Sequence, residues 1–159
     1  MTIETNADGL EIRYGLSQAA VGLKGSPSVG GAFNESIYKI KFDELPAVAS
    51  REVLGGTHTV SIPTGAIIRS ATLIVKDGFT SGGAATLTIG TEKKDGTALD
   101  ADGIDAAIAL SAIDTAGEEV ACDGALIGTK VAENHFVTVT VGTAAYTAGE
   151  ADLVIEYML

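Results

Sequence analysis

The feature that most constrains the fold is the alternation of apolar and polar residues in short segments along the chain. A strand with one buried face alternates in this way, because successive side chains point to opposite faces of a sheet. Five segments show this pattern, and their apolar positions of equal parity are Tyr38, Ile40 and Phe42; Ala71, Leu73 and Val75; Ala85, Leu87 and Ile89; Val137, Val139 and Val141; and Leu153, Ile155 and Tyr157. A spacing of roughly 10 residues predicts an all-β chain of about seven or eight strands, arranged as a jelly-roll-like β-sandwich.

One Ala-rich segment, Gly103 to Ile113, departs from the alternation. Ile104 and Ile108 are spaced as on one face of a helix, and Asp102 or Asp105 could cap its start. The segment therefore predicts one short helix, which Gly117 would close.

Glycine and proline predict where the chain reverses. Asp77-Gly78 is expected to form a turn after the strand that contains Leu73. Val60 and Ile62 predict a further short strand, which Pro63 would end.

The first 35 or so residues differ from the rest in composition and in the spacing of their apolar residues. Between Gly15 and Gly31 glycines are frequent, and the apolar residues follow neither strand nor helix spacing. Two interpretations remain: a flexible tail, or an arm that orders against a neighbouring subunit. The spaced apolar residues favour the arm, because a solvated linker has little use for them. We therefore expect an extended N-terminal arm over residues 1–35 and a β-sandwich domain over residues 36–159.

Size and charge exclude several classes of function. A chain of 159 residues can bury a core without a metal or disulfide, and its single cysteine, Cys122, cannot form an internal bridge. The net charge of −11 repels phosphate backbones, so we expect no nucleic-acid partner. No apolar stretch approaches the roughly 20 residues that span a bilayer, so we expect no membrane partner. The N-terminal residues do not resemble a secretory signal, so we expect synthesis in the cytoplasm.

Residues able to support catalysis are few. His58 and His135 have no second histidine or cysteine at metal-ligand spacing, and Cys122 in a Gly/Ala-rich strand is most simply a packing residue. The best candidate for a metal site is weak: Asp100, Asp102 and Asp105 could converge on calcium, but glycine and glutamate do not stand where the calcium-loop motif needs them. We expect no catalytic residues, no cofactor and no enzyme activity.

A long stretch of the chain resembles a known group of proteins. The order IPTGAIIRSATLIVKDGFTSGGAATLTIGTEKKDGTALDADGIDAAIAL, then VTVTV, then TAGEADLVIEY is similar to a recurrent group of tailed-phage virion proteins. In that group an I-P-x-G-A turn opens a strand, a G-G/S-A-T-L-x-I-G strand and a D-G-I-D segment follow, and T-A-G-x-A-x-L-V-I-E-Y ends the chain. The likeness covers about Phe42 to Tyr157.

The resemblance implies a capsid decoration, or cement, protein. Such proteins stud the outside of an icosahedral head, are often trimers, and commonly bridge adjacent subunits of the major capsid protein. The resemblance therefore implies a virion location on the outer capsid surface and homotrimeric self-association. We hypothesise that the arm, through Tyr14, Leu16, Val21 and Leu23, lies on the capsid or on a neighbouring protomer. A fibre module that binds a receptor or carbohydrate, and a joining protein of the neck or tail, remain alternatives.

Overall fold

The structure, a computed structural model, describes residues 2–5, 11–14, 33–56, 58 and 60–159. The chain divides into two units, Met1–Asn34 and Glu35–Leu159. In the first unit, β1 (Thr2–Thr5) and β2 (Glu11–Tyr14) pair as a two-stranded antiparallel sheet.

Eight further strands in the described part of the chain form two four-stranded antiparallel sheets. The first sheet has the order β3 (Phe33–Lys41), β10 (Tyr146–Met158), β5 (Ile67–Ser81) and β8 (Glu119–Ala121). The second has the order β4 (Arg51–Val53), β9 (Phe136–Gly142), β6 (Thr86–Glu92) and β7 (Ala98–Ala109).

This strand order is that of a jelly roll. Along the chain from β3 to β10, every connection except the one between β6 and β7 passes from one sheet to the other. Each sheet therefore combines strands from the beginning, middle and end of the domain, as paired Greek keys do. The predicted all-β, jelly-roll-like sandwich of about eight strands is confirmed.

The predicted alternation places the core between the two sheets. Leu73 and Val75 of β5, Leu87 and Ile89 of β6, and Leu153 of β10 all have side chains that are at most 1% exposed. Burying such a side chain completely stabilises the fold by about 1.5–3 kcal/mol. The core is thus built from the same-parity positions that the sequence identifies.

The predicted helix is wrong. Strand β7 continues to Ala109, and only a single 3-10 turn, Leu110–Ala112, follows it. Between the pairs Thr91–Asp100 and Ile89–Asp105, β7 advances five residues while β6 advances two. Ile104 and Ile108 are both buried, because positions four residues apart lie on one face of a strand as well as on one face of a helix. Their spacing alone therefore does not distinguish the two structures. No helix of the described residues is long and apolar enough to cross a membrane.

Three smaller predictions also fail. Asp77-Gly78 lies inside the 15-residue strand β5, where the amide of the next residue, Phe79, donates to the Ile113 carbonyl. The short strand at Val60 and Ile62 is reduced to one bridge between Ile62 and His135. Phe42 begins a 3-10 turn, Phe42–Glu44, and is 40% exposed, because β3 ends one residue earlier.

Candidate functional site

Cys122 is buried in the interior. Its backbone amide donates to the Ala71 carbonyl, which fixes it beside β5. Burial, reinforced by the negative charges of Asp105 and Asp123, raises the pKa of the Cys122 thiol to about 12. Because the thiolate is the nucleophilic form, this cysteine is unreactive at neutral pH, as its interpretation as a packing residue requires.

His135 is buried at the start of β9. Its Nδ1 lies 2.9 Å from Oγ1 of Thr91, within hydrogen-bond distance, and burial lowers the pKa of its imidazole. The ring is therefore a neutral, hydrogen-bonded part of the interior.

The second histidine belongs to a charged cluster around Glu92. The Glu92 carboxylate is buried at the end of β6, where it accepts a hydrogen bond of 3.0 Å from Arg51 Nε. Its other oxygen lies 2.8 Å from Nε2 of His58. Arg51 also donates to the Gly96 carbonyl, and the His58 ring meets Phe136 edge-on at 4.9 Å. Both carboxylate oxygens are thus engaged, as a buried charge requires, and the cluster ties β4 and the following loop to β6.

The three aspartates of the weak calcium candidate lie along the bulged strand β7. Asp100 is half-buried opposite Thr91, Asp102 is exposed, and Asp105 is buried. Burial, followed by the charge of Asp123, raises the pKa of Asp105. Within the described residues, no group of three or more His, Cys, Asp and Glu side chains is arranged to hold a metal ion. The three aspartates therefore form no converged set of ligands there.

A cleft lies between β3 and β4, which are edge strands of the two sheets. This cleft has a volume of about 480 Å³. Its floor consists of the buried core residues Ile40, Leu54 and Val139. Charged side chains also line it, namely Lys41, Asp43, Glu44 and Glu52. An apolar floor with a charged rim is suited to binding a polypeptide segment.

Sequence reasoning does not identify the residues of the Glu92 cluster or of the cleft. Glu92 is 41 positions from Arg51 and 34 from His58, so no local spacing marks them as neighbours. The cleft is lined by β3 and β4, which are edge strands of different sheets, so no local pattern in the sequence indicates it.

The predicted arm residues are mostly beyond the described part of the chain. Tyr14 is the last residue of β2. Leu16, Val21 and Leu23 lie outside the described residues. Their role in partner binding stays a prediction.

The fold is similar to that of chains in three phage capsid structures. A chain in the acidic stable capsid structure of Helicobacter pylori bacteriophage KHP30 has a TM-score of 0.58 and 16% identity, with 80% of this chain and 88% of that chain covered. A chain in the capsid asymmetric unit of cyanophage Pam1 has a TM-score of 0.58 and 22% identity, with coverages of 85% and 91%. A chain in the capsid of Ralstonia phage GP4 has a TM-score of 0.55 and 23% identity, with coverages of 84% and 88%.

At these identities the likeness shows a shared fold. No protein-family model matches the chain, and no curated protein matches it. Because the fold is shared with chains of three phage capsids, the resemblance to phage virion proteins seen in the sequence is confirmed at the level of a phage capsid-related fold.

Proposed function

We propose that this chain is a structural protein of a tailed-phage virion, which decorates the icosahedral capsid and stabilises it by bridging subunits of the major capsid protein. The observation that carries the proposal is the jelly roll shared with chains of three phage capsids over at least 80% of this chain. Because at least 88% of each of those chains is covered as well, the shared unit is a whole domain. Fold alone does not determine function, so the surface chemistry and the experiment below matter.

The side chains that could perform chemistry are engaged in structure. The Cys122 thiol is held protonated by burial, and the His135 ring is paired with Thr91. His58 and Glu92 are paired with each other. These contacts support a role in which the domain acts as a rigid body and carries out no reaction.

The arm supplies the proposed link to the capsid. Tyr14, Leu16, Val21 and Leu23 supply its apolar contacts. In a homotrimer three such arms act together, so weak individual contacts combine into strong binding through effective concentration. Binding to the assembled shell, and not to free subunits, stabilises that shell by mass action. The net charge of −11 is compatible with an outer surface that faces away from the packaged DNA.

The test is co-sedimentation of the purified chain with emptied, expanded capsids, together with light scattering of the free chain. We expect a trimer that saturates the capsids at a fixed ratio to the major capsid protein. Removing residues 1–30 should abolish this binding and leave the sandwich folded, because the core side chains of the described part begin at Tyr38. A circular dichroism melt of the truncated chain checks the folding.

Three outcomes would contradict parts of the proposal. Full binding by the truncated chain would exclude the arm as the link. A copy number of about six or twelve per virion would indicate a neck or tail ring. A monomer that does not sediment with capsids would favour a fibre or receptor-binding module, for which a glycan array is the next assay.

A further inference from the structure

Strand β3 offers a long open edge. Among the described residues, β3 pairs with β10 on one side and with no strand on the other. It has nine residues, whereas β8, at the opposite edge of the same sheet, has three. The unpaired N–H and C=O groups of such an edge can form backbone hydrogen bonds with an extended segment of another chain.

The cleft lies where an added strand would direct its inward side chains. Tyr38 and Ile40 point from β3 into the core, and Ile37 and Lys39 point outward. A strand added beside β3 would keep this alternation, so its inward side chains would lie next to Ile40, in the cleft. At about 480 Å³, the cleft is within the roughly 300–1,000 Å³ typical of binding sites. Aliphatic side chains are the natural match for its floor.

The charge of the rim defines the partner further. Asp43, Glu44 and Glu52 are exposed around the cleft, and among the described residues Lys41 is the one basic side chain that lines it. Three carboxylates against one ammonium group favour a partner segment with lysine or arginine beside its aliphatic residues.

We propose that the outer edge of β3 and the adjoining cleft form a strand-addition site for an extended segment of a partner protein, one in which aliphatic residues alternate with lysine or arginine. The aliphatic side chains fill the cleft and the basic side chains contact the three carboxylates. This inference goes beyond the proposed function, because the site binds its segment whether or not the chain decorates a capsid.

The test uses the full chain labelled with ¹⁵N and two synthetic peptides, acetyl-KVKVKT-amide and acetyl-EVEVET-amide. We expect the basic peptide to shift the amide resonances of Lys39, Ile40 and Leu54, and the acidic peptide to leave them unchanged. The double variant Glu44→Gln/Glu52→Gln should bind the basic peptide about two- to thirtyfold more weakly, since each of the two exposed ion pairs contributes about 0.2–1 kcal/mol. Glu119→Gln, on the opposite edge of the same sheet, is the matched control and should bind with unchanged affinity.

Several results would overturn the inference. One is equal binding of the two peptides, and another is the absence of any shift at β3 up to the solubility limit of the basic peptide. Shifts centred on β8 would place the binding edge elsewhere. Shifts of the same resonances on concentrating the chain without peptide would show that a second copy occupies the site. Capsid co-sedimentation is measured separately, so failure of one experiment does not decide the other.

Discussion

Replacing Gly90 with alanine should destabilise the sandwich strongly, because the bulge of β7 lies directly against this glycine. Gly90 is buried in the middle of β6, and a Cβ atom there would lie 2.2 Å from the Ala101 carbonyl oxygen and 2.6 Å from that of Asp100. Both neighbours are backbone atoms, so removing the steric overlap requires the backbone of β7 to move by roughly 1 Å. Overpacking of this kind costs about 1–3 kcal/mol, and we expect about 3 kcal/mol.

The assay is thermal and urea unfolding followed by circular dichroism. For a chain of this size, about 3 kcal/mol corresponds to a fall in Tm of about 6–12 °C. Gly82→Ala is the matched control, because a Cβ atom at Gly82 would meet nothing within 4 Å. The control should change the free energy of unfolding by less than about 0.5 kcal/mol. If Gly90→Ala has the same Tm as the control, the β7 bulge does not lie over Gly90, and the strand arrangement described above is refuted.

Two further predictions concern buried titratable groups. With its pKa raised from 9.0 to about 12, Cys122 should react with iodoacetamide at pH 8 about a thousandfold more slowly in the native chain than in urea; equal rates would contradict its burial. Burial lowers the pKa of His135, so the unfolded chain takes up the proton first, and the free energy of unfolding should decrease as pH falls below about 6.5. Urea unfolding at pH 7.5 and 5.5 should show a smaller decrease for His135→Gln; an identical decrease would show that another group is responsible.

Periodicity predicts the strands of this fold wherever pairing is regular. In β6 and β9 the register advances one residue at a time from Thr86–Gly142 to Glu92–Phe136, so inward positions keep one parity. The sequence therefore identifies the buried apolar residues of these two strands correctly. Such strands have only one stable register, because a shift by one residue would turn every buried side chain to the other face of the sheet.

Periodicity fails where pairing is irregular. In β7 shifts of register interrupt the pairing with β6, and Ile104 and Ile108, four residues apart, suit one face of a helix as well as one face of a strand. The alanines between them favour helix on propensity. Tertiary pairing with β6 decides the outcome, and no local signal reports it. Asp77-Gly78 fails for a related reason: β5 passes through its turn signal because Gly78 allows the chain near Asp114 to approach closely.

The cleft shows why the site is harder to predict than the fold. Its floor residues Ile40 and Val139 can be recognised as apolar strand positions, but Leu54 follows β4 in a turn, and nothing in the three positions indicates that they share one opening. That opening follows from strand order, because β3 and β4 are consecutive along the chain but belong to different sheets. Each is an edge strand, so the connection between them leaves the side of the sandwich open to a partner. A jelly roll thus produces this cleft through its topology, and the acidic residues at its rim determine which segments can enter it.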